Sequence, residues 1–484
     1  MKKKILKLAA AVLAAAMLVN TFPQSVKAEE GFTYEFEKNC KAYYMFDPTD
    51  ESVVYSVNAD EVLPMASLTK IMTFIVASEN IPDIENTVVT VSDTISTELE
   101  DTQSSLAGVY ADEELTVLQL LNMMMIPSGN DAALALQIYY EEEIAGVEHD
   151  STANDSPFIA LMNSKAEELG CTSTHFVNSH GLHDEEHYST ARDLGKIVQY
   201  ALTLPYFKEI VNTTEYTVPA TNVSAKERTI EATNKMLRKD YENGAYYYEY
   251  ANGVKTGSHN EAGYCIAASA TKDDQNYVAI VLGSPMLSEA GEYIDYHGEM
   301  IDAAELFDWG FENLSRQELC GTDEVISEAP IQYAWKQKTI DLVPDKSATA
   351  ILPNDVTEED LEIDLEVPEL VQTPVEEGTT LGKVTYSYNG EVLAEVELKA
   401  AETVKKSNIL YGLAILKKIV TSIWFWFVIV LVVVVILIRN EQERRRKLRR
   451  RRRKQSQMNR KRRSSKKQAN VKNRSSQSQM NGKR

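Results

Sequence analysis

The 484-residue sequence predicts a mixed α/β domain of the α+β kind, then a small all-β module and one C-terminal membrane-spanning helix. Three observations carry that expectation. Between residues 64 and 137, apolar runs suited to buried helices are broken by short polar turns, and residues 263–270 are small and apolar enough for a buried strand. Between residues 339 and 398, apolar and polar residues alternate in short segments, two of them joined by Asn389-Gly390. From Ile419 to Ile438 no charged residue occurs, a run long enough to cross a bilayer.

Taken in order, residues 1–28 open with Lys2, Lys3 and Lys4, continue through an apolar stretch from Ala9 to Val19, and close on Val26-Lys27-Ala28. That order predicts a secretory signal peptide cleaved after Ala28. A retained N-terminal anchor is the alternative, although the apolar part is short for spanning.

Pro64 to Ala77 reads as a buried helix that carries Ser67 and Lys70 three residues apart, hence on one face. A serine hydroxyl is a poor nucleophile unless a base adjoins it, and a charged lysine cannot accept a proton. Burial would lower the pKa of Lys70, and a second cation would lower it further, with Lys255 the candidate. An incidental Ser and Lys on a core helix would explain this pair equally well if it stood alone. A second apolar helix spans Leu115 to Ile126, stopped by Pro127. Ser128-Gly129-Asn130 follows as a tight loop, pinned by a further helix from Asp131 to Gln137; an ordinary capping turn is the plain alternative. Downstream, Asn243-Gly244 signals a turn and Tyr246 to Tyr250 resembles a strand. Lys255-Thr256-Gly257 then precedes the apolar strand ending near Ala270.

Ser67-Leu68-Thr69-Lys70, Ser128-Gly129-Asn130 and Lys255-Thr256-Gly257, in this order, match the active-site set of penicillin-binding proteins and class A β-lactamases. The chain resembles the low-molecular-weight D-alanyl-D-alanine carboxypeptidases of that superfamily. Thr174 to Leu182, His187 to Asp193 and Ala232 to Leu237 are also similar to segments of that group. The resemblance implies a β-lactamase/transpeptidase-like catalytic domain over 31–317, with an antiparallel sheet flanked by helices plus a helical subdomain. It implies that Ser67 is the acylated nucleophile, Lys70 the general base and Ser128 a proton relay. Asn130, Lys255, Thr256 and Gly257 would bind the substrate peptide, and the backbone amides of Ser67 and Ser258 would form the oxyanion hole. The substrate would be the D-Ala-D-Ala end of a peptidoglycan stem peptide, with β-lactams as inhibitors and no cofactor.

Some positions depart from the family pattern. Many relatives carry an aromatic residue or histidine at Ser258 and threonine at His259, and some carry arginine at Thr233. No glutamate matches the deacylating base of class A β-lactamases, which favours a penicillin-sensitive peptidase. A β-lactamase or esterase on the same scaffold, and a non-catalytic wall-binding protein, stay open as alternatives.

Four of the seven histidines, His175, His180, His183 and His187, cluster with Asp184, but no recognised zinc pattern is present and no metal is expected there. Cys40, Cys171, Cys265 and Cys320 are scattered, allow three connectivities and suggest no disulfide framework.

Residues 326–404 are expected to form the β module; Thr373 to Gly382 resembles the C-terminal domain of the same carboxypeptidases. Residues 419–438 are the expected span. The tail, 439–484, carries 21 Lys and Arg against 2 Glu and is expected to be disordered and cytoplasmic, leaving the enzyme on the wall side. The tail could meet anionic lipid or nucleic acid, and loose lipid contact is the preferred reading. The formal net charge of −22 hides this division, because residues 29–418 hold 70 acids against 24 Lys and Arg. An exterior so acidic would not attract nucleic acid.

Overall fold

The computed structural model describes residues 31–151, 156–288 and 290–477; the expected signal peptide lies outside the described residues. The chain divides into two units, residues 1–319 with 349–361, and residues 320–348 with 362–484.

In the first unit, strands β1 (Ala42–Phe46), β2 (Val53–Val57), β3 (Ala251–His259), β4 (Gly263–Lys272) and β5 (Gln275–Ser284) form one sheet in the order β2-β1-β5-β4-β3. All of the sheet's strand pairings are antiparallel. The sheet is apolar on both faces, and the two-residue period of a strand divides its side chains between two cores. Ala42, Tyr44, Cys265, Ala267, Val278 and Ile280 join a helical core on one side. Tyr43, Met45, Ile266, Ala268, Tyr277 and Ala279 join a second core on the other.

Helices α1 (Thr69–Asn80), α2 (Val117–Met125), α3 (Asn130–Tyr139), α4 (Pro157–Glu168) and α5 (Ala191–Ala201) build the first core. Helix α6 (Gly298–Asn313) contributes Met300, Ala303, Leu306 and Phe307 to the second. Helix α1 is buried from Thr69 to Ala77, so it runs through the protein rather than along its surface. Helix α2 starts on a capping box, with Thr116 and Gln119 satisfying each other's backbone amides.

Tyr246 to Tyr250 is not a strand. Its amides bond locally or to Met236, with Tyr247 N to Gly244 O at 3.1 Å and Tyr248 N to Met236 O at 2.9 Å. Tyr246, Tyr248 and Tyr250 all pack on the second core, and this aromatic packing imitates the alternation of a strand.

In the second unit, β6 (Ser327–Gln332), β7 (Thr339–Pro344), β8 (Glu362–Glu366), β9 (Val371–Gln372), β10 (Thr380–Tyr388) and β11 (Glu391–Ala400) form a sheet ordered β8-β10-β11-β7-β6-β9. Asn389 (φ 51°) and Gly390 (φ 83°) make the tight turn between β10 and β11, where paired left-handed residues match strand twist. Thr349 to Leu361, expected within this module, belongs to the first unit. There Ile351 is buried beside Phe307 and Leu314, and Asn354 N donates to Asn313 O at 2.9 Å.

Helix α7 (Asn408–Thr421) is capped by Ser407, and after a break at Ser422 helix α8 (Ile423–Gln477) begins. This break falls near the start of the expected span, 419–438. Its apolar residues are largely exposed, Trp424 at 73% and Ile423 at 82%, as suits an apolar helix long enough to cross a membrane. The helix continues through the basic stretch expected to be disordered. No Gly or Pro falls between Arg439 and Gln477, and Arg, Lys and Gln all favour helix.

Candidate active site

Ser67 lies in a single 3-10 turn, Ala66–Leu68, that leads directly into α1. Ala66 has φ 48°, a left-handed conformation costly for a side-chain residue and common where a site fixes its backbone. One helical turn later Lys70 is fully buried, and its Nζ lies 2.9 Å from Ser67 Oγ. The same Nζ donates to Asn130 Oδ1 and to His180 O, each at 2.6 Å. Burial pushes the pKa of Lys70 well down, and the charge of Lys255 pushes the same way against Asp131. Burial also lowers Lys255 to about 7. Nζ thus meets three oxygens; in the neutral form the two acceptors would take its two N–H groups and leave its lone pair for the hydroxyl of Ser67.

Ser128 also occupies a left-handed conformation, φ 65°, at the corner between α2 and α3. Gly129 is required there, since a Cβ would stand 2.7 Å from Met123 O. Asn130 begins α3; its Nδ2 donates to Ser104 Oγ at 3.0 Å and its backbone amide to Ser105 O at 2.8 Å. Asp131, expected only as a helix start, does more. Its carboxylate accepts the amides of Ala107, Gly108 and Val109 at 2.9, 2.9 and 3.0 Å. It thereby holds the 104–109 segment against Asn130.

Lys255, Thr256, Gly257 and Ser258 lie along β3, in register with Ala267, Ile266, Cys265 and Tyr264 of β4. Thr256 Oγ1 lies 2.8 Å from Thr233 Oγ1, and Thr233 N donates to Ile126 O at 3.1 Å, so residues 232–237 bridge the end of α2 and the strand. Gly257 faces the nucleophile turn: a Cβ there would stand 2.9 Å from Ser67 N and 3.1 Å from Met65 O. Gly257, expected to meet the substrate peptide, thus also leaves room for the backbone of Ser67. Gly257→Ala is therefore expected to slow penicillin acylation about a hundredfold by displacing Ser67, and a stopped-flow acylation rate checks this.

The segment around His180 serves the same turn. A Cβ on Gly181 (φ 89°) would stand 2.1 Å from Ala66 O. His187 accepts the Val177 amide at Nδ1 (3.0 Å), which leaves its protonated Nε2 to donate to Thr69 Oγ1 at 2.7 Å. Thr69 in turn donates to Ala66 O at 2.7 Å. Burial holds His187 and His180 down to about 3, so both are neutral structural groups. The functional contacts that sequence reasoning missed, the His180 carbonyl, Ser104 and Asp131, act through backbone or between distant loops and leave no local signature.

Ser67, Ser128, Asn130, Thr256, Gly257 and Ser258 border one cleft of about 510 Å³, and Lys70 and Lys255 are buried behind it. All eight expected residues thus meet at one place. The four cysteines are free thiols, and burial raises those of Cys40, Cys171 and Cys265.

A hydroxyl held against a buried amine, beside an antiparallel strand with a lysine behind it, defines an acyl-transferring serine hydrolase. The model of the peptidase S11 family, described as D-alanyl-D-alanine carboxypeptidase, matches residues 28–286, more than half of the chain, and the chain belongs to that family. A second model, the penicillin-binding protein 5 C-terminal domain, matches residues 315–406. The D-alanyl-D-alanine carboxypeptidase DacF of Bacillus subtilis is 27% identical over 84% of this chain and 96% of its own length. Penicillin-binding protein 5 of Haemophilus influenzae shares the fold, with TM-score 0.59 and 24% identity over 78% of this chain and 100% of that structure. The Streptomyces K15 DD-transpeptidase matches with TM-score 0.50 and 29% identity over 58% of this chain and 100% of its own. The chain is accordingly a serine-type carboxypeptidase with a transpeptidase-like catalytic domain, a C-terminal β domain and an apolar helix suited to anchoring.

Proposed function

We propose that Ser67 is the residue acylated, with neutral Lys70 as its base, when the chain removes the terminal D-alanine from peptidoglycan stem peptides. The observation that carries this is the 2.9 Å approach of Ser67 Oγ to a fully buried Nζ whose other two neighbours are both acceptors. The terminal carboxylate of D-Ala-D-Ala lies along β3 against Lys255 and Thr256, and the Asn130 amide and the backbone of Gly257 border the peptide. Lys70 takes the proton of Ser67 as Oγ bonds to the penultimate carbonyl carbon. The oxyanion is met by the amides of Ser67 and Ser258, donors of a kind typically worth about 3 kcal/mol in the transition state. The C–N bond then breaks, Ser128 relays a proton to the departing D-alanine, and water hydrolyses the ester. Penicillin follows the same path into the acyl-enzyme and leaves it slowly.

The anchor helix sets the catalytic unit on the wall side, and the basic tail stays in the cytoplasm, where positive flanks are retained and anionic lipid lies close. The test is release of free D-alanine from diacetyl-L-Lys-D-Ala-D-Ala by the detergent-solubilised protein. Release blocked by penicillin supports the reading; release unaffected by penicillin sinks it. A solved relative is named a DD-transpeptidase, so an added amine acceptor measures how the acyl group divides between water and amine.

The pH dependence has a definite sign. The working form of Lys70 is neutral, so acylation climbs as pH rises through its lowered pKa. The working form of Lys255 is charged, so acylation declines above about pH 7 as that proton leaves. A kcat/KM profile that keeps climbing well past neutrality would show that Lys255 does not act as a cation.

A further inference from the structure

Beyond Ser67 the cleft rim carries a second constellation. His183 follows Gly181 on one side; His259 ends β3 and Glu261 stands in the turn to β4 on the other. A ligating atom of each lies within 4.8 Å of the others, and the two imidazole rings are 5.2 Å apart between centroids. His259 Nδ1 lies 3.1 Å from Glu261 Oε2 and accepts the amide of Ala262 at 3.1 Å. An ion held at that nitrogen takes the place of the Ala262 amide, with the Glu261 carboxylate beside it. Metal bonds of about 2.0–2.1 Å at tetrahedral angles set neighbouring ligand atoms about 3.3 Å apart, which His259 and Glu261 already meet at 3.1 Å and which His183, within 4.8 Å, reaches by turning its exposed side chain.

We propose that His183, His259 and Glu261 bind one divalent transition-metal ion of the zinc class across the rim of the cleft. Two imidazoles and one carboxylate suit zinc, nickel or copper and disfavour magnesium or calcium, which prefer all-oxygen shells. Three protein ligands leave one position for water. His183 and Glu261 are exposed and His259 is half-buried, so the ion reaches the site from solvent and the exposed side chains can turn onto it. Among the described residues the other histidines of the stretch fall outside this group, with His180 and His187 buried and His187 held on Thr69 and Val177. The site does not depend on the acylation chemistry proposed for Ser67.

The test titrates the metal-stripped, detergent-solubilised full chain with cobalt(II), reading the visible absorption of a four-coordinate ion, with zinc as competitor. One equivalent is expected to bind, and zinc is expected to displace it. His183→Gln and Glu261→Gln are each expected to weaken binding about tenfold or more while still labelling with fluorescent penicillin, which shows them folded. Absence of the cobalt band in the wild-type chain, or a band of unchanged affinity in both variants, would overturn the proposal.

Discussion

Ser67→Ala is expected to abolish covalent labelling by a fluorescent penicillin and to reduce D-alanine release by about 10⁴-fold or more, with thermal unfolding almost unchanged. The loss is large because Ser67 Oγ is the hydroxyl that the buried Lys70 amine approaches, at 2.9 Å. The fold survives because Lys70 Nζ, the partner of Ser67 Oγ, keeps Asn130 Oδ1 and His180 O. A labelled Ser67→Ala protein would refute the assignment of the nucleophile.

Lys70→Met is expected to slow acylation about 10³-fold, within the range that general-base catalysis supplies. Methionine fills much the same volume in the core, so packing is largely kept. Asn130 Oδ1 and His180 O each lose a donor, at about 1–3 kcal/mol apiece, while removal of a desolvated amine offsets part of that. The rate should therefore fall far more than the stability. Lys70→Arg should be at least as slow, because a guanidinium keeps its proton and adds a buried charge facing Lys255. Wild-type acylation by either variant would transfer the base to another group.

The parts of the site that are contiguous in sequence were the most legible. Ser67 and Lys70 are one helical turn apart, so their spacing encodes their contact. The influence of Lys255 on Lys70 could be anticipated because burial of two amines in one site has one electrostatic outcome. The hairpin at Asn389-Gly390 was equally plain, since its left-handed residues have few substitutes. Tyr246 to Tyr250 misled because tyrosines at every second position suit a core-facing loop as well as a strand. Asp131 misled because an acid in a first helical turn already has an ordinary explanation, whereas its partners are amides more than twenty residues away. The role of Gly257 also escaped the sequence, which names the glycine but not the backbone that crowds it.

The turn bearing Ser67 is gripped from two sides, by Gly181 against Ala66 O and by Gly257 against Ser67 N. Neither jaw can gain a methyl group without moving the hydroxyl away from its base. For antibiotic resistance this closes one evolutionary route, because the chain cannot evade a drug by resetting its nucleophile and still trim the wall. Discrimination between drug and natural peptide is then left to the rim, where Thr233, Ser258 and His259 border the cleft.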